Sequence, residues 1–344
     1  MLVSSGKALI TVDNYKTILK IQEKVHKVKT GAKVTLVQNL ESLVKEAMGV
    51  NFEEFIRLVD TVVELQANEH GHVGSSQITG RLVNLMPEGE AVAIGDIHGD
   101  LESLFHILKA TDFIEKVKIG EHSHLIFLGD YGDRGIHSPE VYYVVLKLKE
   151  AFPKNVILMR GNHEGPDDIL AYPHDLSNHL YIKFGENSSN AYDSLHKLFS
   201  NLHNAVLVKG TCILLHGGVP TQAKTVNDVA YAHEKHPHET HLEEILWNDP
   251  WEGLTGTHAS PRGAGKLFGE NETDRFLEML NVKALIRGHE PSQEGFKINH
   301  NGKILTLFSR IGPPYFNEHG AYLQLDLDYT VEKAFQLNQF IRLF

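Results

Sequence analysis

Ala91-Val92-Ala93-Ile94-Gly95-Asp96-Ile97-His98-Gly99-Asp100 is the stretch from which the rest of the chain can be read. A short apolar run ends in a glycine, and a carboxylate and an imidazole follow two positions apart. That order predicts a buried strand running into a tight turn, with Asp96 and His98 presented just past its carboxyl end. Both side chains are good ligands for a first-row metal ion. Taken alone, an Asp-x-His triplet in a loop is more often solvated than ligated.

Four later segments repeat the pattern. His124-Leu125-Ile126-Phe127-Leu128-Gly129-Asp130 runs into Tyr131-Gly132-Asp133-Arg134-Gly135. Asn155-Val156-Ile157-Leu158-Met159-Arg160 runs into Gly161-Asn162-His163-Glu164. Thr211-Cys212-Ile213-Leu214-Leu215 leads to His216-Gly217-Gly218, and Val282-Lys283-Ala284-Leu285-Ile286 to Arg287-Gly288-His289-Glu290. Side chains at the carboxyl ends of adjacent strands in an open α/β sheet converge on one crevice. Five such ends predict one site that gathers carboxylates, an asparagine, histidines and arginines.

The composition is that of an ordinary globular protein. Its 344 residues, 42% of them hydrophobic, suffice for one large or two ordinary domains with a sizeable core. No apolar run approaches the roughly 18–20 residues that cross a bilayer, so no membrane partner is expected. The opening Met1-Leu2-Val3-Ser4-Ser5-Gly6-Lys7 lacks the basic-then-apolar order of a secretory leader. The single cysteine, Cys212, excludes an internal disulfide and fits a reducing compartment, so a cytoplasmic location is expected. A formal net charge of −11 argues against nucleic acid as a general partner, although local positive charge can still attract one phosphate.

Residues 1 to about 90 read as helical. Asp13 can cap a helix through Lys27, and Asn51 another that carries Phe52, Phe55, Ile56, Val59, Val62 and Val63 at near-helical spacing. The stretch 69–76 reads as a loop, with His70 and His72 unassigned. From residue 91 strands and helices alternate. Asp100 can cap a helix bearing Leu101, Leu104, Phe105 and Leu108; Ser138-Pro139-Glu140 opens one over 141–152; a third covers 191–202. The segments 304–308, 321–328 and 333–341 read as neighbouring antiparallel strands. The His-, Glu- and Lys-rich stretch 230–241 reads as a solvated surface loop. The sum is an α/β domain with a second sheet, divided into a helical section over 1–70 and a catalytic part over 71–344.

The five strand-end blocks, in this order and spanning about residues 91–310, resemble the signature blocks of the phosphoprotein phosphatase family. These are the metal-dependent serine/threonine phosphatases of the calcineurin-like metallophosphoesterases. The resemblance implies a sandwich of two mixed β-sheets flanked by helices. It also implies two divalent metal ions (Mn, Fe or Zn, with Mn expected to support activity in vitro). By motif position, Asp96, His98 and Asp130 would hold one ion; Asn162, His216 and His289 would hold the other, with Asp130 bridging. A shared carboxylate suits two cations roughly 3.5–4 Å apart, and such a pair can acidify a water. By the same resemblance His163 is the general acid for the leaving alkoxide, and Asp133 orients it. Arg134 contacts phosphate oxygens, where a guanidinium fork matches the geometry.

Trp247-Asn248-Asp249-Pro250 followed by Pro261-Arg262-Gly263-Ala264-Gly265 matches the family pattern for a second phosphate-binding arginine, Arg262. Tyr315, in Arg310-Ile311-Gly312-Pro313-Pro314-Tyr315-Phe316, stands where the family has a tyrosine, without the cysteine that usually follows. Asp100 and Gly132 also depart from the usual blocks, which carry glutamine and valine there. Glu164 is expected in a structural role, and Arg287 has a structural partner available in Glu290. The function implied is hydrolysis of phosphoserine and phosphothreonine on protein substrates by a hydroxide activated between two metals. No regulatory subunit is identifiable from the residues. The nearest alternative is a small-molecule metallophosphoesterase, such as a dinucleoside polyphosphate hydrolase or a phosphodiesterase. The Asp133-Arg134 pair and the Arg262 segment favour a phosphomonoester. A metal-binding scaffold without activity should have lost a ligand or His163, and neither is lost.

Overall fold

The apolar run around Val92 forms the centre of a five-stranded sheet in a computed structural model, which describes residue 37 and residues 39–344. Strands β1 (Glu90–Ile94), β2 (Ser123–Phe127) and β3 (Val156–Leu158) lie parallel, and Ala321–Asp326 and Ile341–Leu343 extend the other edge antiparallel. An eight-stranded sheet contains β4 (Cys212–Leu214) and β5 (Ala284–Arg287), which lie parallel to each other, with Ile304–Leu307 parallel beyond β5. A small three-stranded sheet joins Asp249–Pro250, Thr257–Ala259 and Lys266–Phe268.

The two large sheets pack face to face, and β1 shows how. Ala91 and Ala93 join a buried cluster with Val206, Val208, Leu214, Ile286 and Leu305 of the opposite sheet. Val92 and Ile94 point the other way, into a cluster with the helices. Successive side chains alternate faces, so a strand buried on both reads as a continuous apolar run. Helices cover the outer faces. They include α1 (Leu40–Gly49), α2 (Phe52–Ala67), α3 (Leu101–Thr111), α4 (Ser138–Ala151), α5 (Leu176–Phe184) and α6 (Ser188–Phe199). The architecture is the expected two-sheet sandwich flanked by helices.

Asn39 and Asn51 cap α1 and α2, accepting from the amides of Ser42 at 2.8 Å and Glu54 at 2.9 Å. Leu43, Ala47, Phe55, Val59 and Val62 on these helices share one buried cluster with α4 and α6, so residues 40–67 are packed into the same core as the strands that follow. The helix expected from Asp13 lies outside the described residues. Asp100 caps α3 as expected, accepting from Ser103 N–H at 3.1 Å. α4 begins earlier than 141: Ser138 lies inside the helix, and its hydroxyl donates to the Gly135 carbonyl at 2.8 Å.

Three other segments depart from expectation. Residues 69–76 are not a plain loop, because Gly71–Val73 and Ser76–Thr79 pair around a two-residue turn with Gly74 at φ 62°. The expected trio of C-terminal strands is split: Ile304–Leu307 is in the eight-stranded sheet and Ala321–Asp326 in the five-stranded one. Ala334–Phe340 is a 3₁₀ helix, whose Ala334, Leu337 and Phe340 recur every third residue, the 3₁₀ repeat. The stretch 230–241 is only partly solvated, since it holds a helix, Ala232–Lys235, and buries Ala230, Ala232 and His241. No helix among the described residues is long and apolar enough to cross a membrane.

Candidate metal centre

The five strand ends do meet, but not along one sheet. β1, β2 and β3 deliver Asp96, His98, Asp130 and Asn162 from the five-stranded sheet; β4 and β5 deliver His216 and His289 from the other. Parallel bridges between Asp96 and Phe308, and between Met159 and His203, stitch the sheets together beside the site. The turns are tight. His98, Asp130, Asp133, Arg134 and His289 have φ of 44°, 56°, 63°, 67° and 74°, half of the ten non-glycine residues in the left-handed region among those described. Such conformations cost of order 1–3 kcal/mol each and persist where the surroundings impose them. Two glycines allow the close approach. A Cβ at Gly161 would lie 2.2 Å from Asp130 Oδ1, and one at Gly288 2.4 Å from Asp96 Oδ1.

All six ligand-type side chains are buried. His98 donates from Nδ1 to the Gly132 carbonyl at 2.8 Å, which leaves Nε2 as a lone pair 3.4 Å from Asp130 Oδ2 and 3.8 Å from Asp96 Oδ2. His216 likewise donates from Nδ1 to the Leu128 carbonyl at 3.0 Å. Its Nε2 then faces Asn162 Oδ1 at 2.9 Å and Asp130 Oδ1 at 3.4 Å. Burial holds both imidazoles well below their ordinary pKa, so they are neutral. Asn162 Oδ1 also lies 3.0 Å from His289 Nδ1. Turned over, the same amide would donate to Asp130 at 3.1 and 3.3 Å.

The Nε2 lone pairs of His98 and His216 therefore both face the Asp130 carboxyl. Burial pushes the Asp96 carboxyl up to about 7; burial, then the neighbouring Asp96, pushes Asp130 well above the usual range. Two buried carboxylates that resist ionising beside neutral imidazoles lack positive charge, and divalent cations fit that deficit. Donor atoms of His98, Asp130 and His163 lie within 4.8 Å of one another, as do those of Asp130, His216 and His289, so Asp130 belongs to both groups.

His163 is committed elsewhere at one nitrogen. Its Nδ1 makes a short hydrogen bond to Asp133 Oδ2. Oδ1 of Asp133 accepts from the amides of Asp175 at 2.8 Å and Leu176 at 2.6 Å. Burial alone would raise the Asp133 carboxyl, but the hydrogen bonds from His163 and His174 hold it far below its ordinary range. His174 Nδ1 reaches the same Oδ2 at 2.7 Å, and its Nε2 meets the Tyr192 hydroxyl at 2.9 Å. Sequence reading missed His174 and Tyr192; neither stands at a strand end, and no motif marks them.

A cavity of about 800 Å³ opens over the centre, and Arg134, Arg262, His163 and Tyr315 line it. Arg134 Nε is buried and has no hydrogen-bond partner among the described residues. Arg262 Nε donates to Asp249 Oδ2 at 2.6 Å, so this arginine is tethered. Tyr315 stacks on His98, with centroids 5.9 Å apart and planes at 23°. The Arg310 guanidinium lies 5.3 Å from the Tyr315 ring centre and donates to the His98 carbonyl at 2.9 Å. Asp100 adds to this anchoring, because its Oδ2 accepts the Ile311 amide at 3.1 Å. Glu164 is structural as expected: its carboxylate accepts from the amides of Asp130 at 2.8 Å and Gly161 at 3.1 Å and from the Tyr142 hydroxyl at 2.8 Å. Arg287 is fully buried, bonded to Glu290 at 2.5 Å and Asp249 at 2.9 Å.

Many known proteins are similar to this chain in sequence or in fold. The profile for calcineurin-like phosphoesterases matches residues 91–293. The serine/threonine-protein phosphatase 4 catalytic subunit of Saccharomyces cerevisiae is 33% identical over 268 residues, 73% of this chain and 83% of that protein. Its counterpart in Eremothecium gossypii is 34% identical over 249 residues, 70% of this chain and 76% of that protein. Among solved structures, a protein serine/threonine phosphatase from Saccharomyces cerevisiae, described as similar to human phosphatase PP5, superposes with a TM-score of 0.66. It is 22% identical, covers 94% of this chain and 95% of its own, and bears on the fold. The chain belongs to the calcineurin-like phosphoesterases and, within them, to the phosphoprotein phosphatase family.

Proposed function

We propose that the protein hydrolyses phosphoserine and phosphothreonine on protein substrates. The observation that carries this reading is the sharing of Asp130 between two groups of metal-capable donors, beside a His163–Asp133 pair, under one cavity lined by Arg134, whose Nε has no partner among the described residues. Asp96, His98 and Asp130 would hold one divalent ion; Asn162, His216 and His289 would hold a second, with Asp130 between them. Such ions supply charge neutralisation and acidification of water. The remaining work falls to the chain. Arg134 and Arg262 bind and orient the phosphate oxygens. His163 keeps Nδ1–H on Asp133 and holds a proton at Nε2. As water adds to phosphorus and gives up a proton to solvent, the ester P–O bond breaks and the departing oxygen takes the Nε2 proton. Tyr315 packs over His98 and forms the wall beside the phosphate.

Residues 71–344 carry the catalysis on this reading, and the packed helices over 40–67 buttress it. Manganese is the ion expected to support activity in vitro, and the cytoplasm the expected location. The relatives named catalytic subunits make a regulatory partner part of the proposal. Metal analysis of active protein, paired with assays on a phosphoserine peptide and on diadenosine tetraphosphate, tests it. About two equivalents of metal and preference for the peptide are expected. Preference for the dinucleotide would move the protein to the small-molecule hydrolases.

A further inference from the structure

The segment that follows the cavity wall reaches the acid pair from behind. Tyr172 lines the cavity and is 92% exposed. Two residues on, His174 donates to Asp133 Oδ2 at 2.7 Å, and the amides of Asp175 and Leu176 take Oδ1 at 2.8 and 2.6 Å. Asp175 Oδ1 in turn accepts the Arg134 amide at 2.9 Å. Among the described residues, one short stretch therefore supplies three of the four hydrogen bonds to the Asp133 carboxylate, and His163 supplies the fourth. The His174 ring is fixed from its far side by the Tyr192 hydroxyl at 2.9 Å and by an edge contact, with centroids 5.5 Å apart and planes at 72°.

We infer that His174 is a positioning residue for the acid pair, setting the direction in which Asp133 meets His163 and hence the aim of His163 Nε2 at the leaving oxygen. A carboxylate oxygen has two lone-pair directions. With Oδ1 taken by two amides, the carboxylate cannot turn about its own axis without breaking them. With His174 on one lone pair of Oδ2, a single direction is left for His163. Without His174, Oδ2 regains a second direction and His163 loses its fixed bearing. The His174 side chain is 12% exposed and both ring nitrogens are engaged, so it acts through Asp133 and not on the substrate.

This inference rests on His163 being the proton donor, and the test separates the two. His174→Phe keeps a ring against Tyr192 and removes both hydrogen bonds; His174→Asn returns a donor close to the Nδ1 position. Both variants, with His163→Asn as control, are assayed on a phosphoserine peptide and on p-nitrophenyl phosphate, and metal content is measured. A serine alkoxide needs the proton and p-nitrophenolate hardly does. His174→Phe is expected to lower kcat on the peptide on the order of tenfold, the usual worth of one hydrogen bond to a charged group, with a distinctly smaller loss on p-nitrophenyl phosphate. KM and metal content stay as in the unaltered protein, and His174→Asn recovers most of the peptide activity. Equal losses on both substrates, whether from altered chemistry, unfolding or lost metal, overturn the inference, as does no loss at all or no recovery in His174→Asn. If His163→Asn shows no dependence on the leaving group, the proton-donor reading itself falls. If it does and His174→Phe does not, only the role of His174 falls.

Discussion

Arg134 and Arg262 both line the cavity, yet their surroundings set them apart. Among the described residues Arg134 Nε has no partner, whereas Arg262 is held by Asp249, which also pairs with the buried Arg287. A free guanidinium in a pocket of buried donors is available to a phosphate at no cost in broken ion pairs. Arg134→Ala is therefore expected to lower kcat/KM about 10²-fold, the usual size of losing one transition-state donor, and to weaken inhibition by inorganic phosphate. Arg262→Ala should do the same to a smaller degree, with metals retained in both. A lowered Tm with lost metal would return these arginines to a structural role. At this scale the sequence was informative wherever a residue stood between a strand and a glycine. Asp96, Asp130 and Asn162 were legible because burial of the run before them fixes where the chain emerges. His174 was not, because a loop histidine that holds a buried carboxylate looks the same in sequence as one in water.

Helix α2 tests how firmly the helical layer belongs to the core. Phe55 is fully buried and packs against Phe184 at the end of α5, with ring centroids 5.0 Å apart and planes tilted at 44°. Truncating such a ring removes its transfer free energy and leaves a cavity, so Phe55→Ala should cost about 3–5 kcal/mol by denaturant unfolding. The protein that remains folded should keep its metals. A loss under about 1 kcal/mol would mean that α2 only rests on the surface. Its cap and apolar stripe were readable because both are local, the Asn51 side chain and a 3.6-residue repeat. The hairpin at 71–79 escaped because its strands are short and mostly polar, with Val73 and Ile78 as their apolar residues. Ala334–Phe340 escaped because a three-residue repeat imitates a strand in a β-rich setting.

The centre depends on both sheets, so binding there should be felt by the whole molecule. An ion that binds only the folded state stabilises it by RT ln(1 + [L]/Kd), about 2.7 kcal/mol at a hundredfold excess over Kd. Chelation is therefore expected to lower Tm by about 5 °C, and added manganese to restore it, as followed by calorimetry. Asp130→Asn should start near the lower Tm and respond little to chelator, since it removes the one carboxylate common to both donor groups. An unchanged Tm on chelation would count against a metal that bridges the sheets. The convergence of five strand ends was foreseeable, but their division between two sheets was not. Which strands pair is decided by contacts far apart in sequence, and the apolar runs of β1 and β4 look alike.

That division has a consequence for biosynthesis. His289, whose amide bonds Asp96 at 2.8 Å, lies 193 residues further along the chain. On the proposed ligand assignment, a nascent or truncated polypeptide would lack a complete ligand set until β5 has emerged and paired with β4. Metal occupancy would then double as a proofreading mark: an active centre would certify that nearly the entire catalytic part has been made and folded.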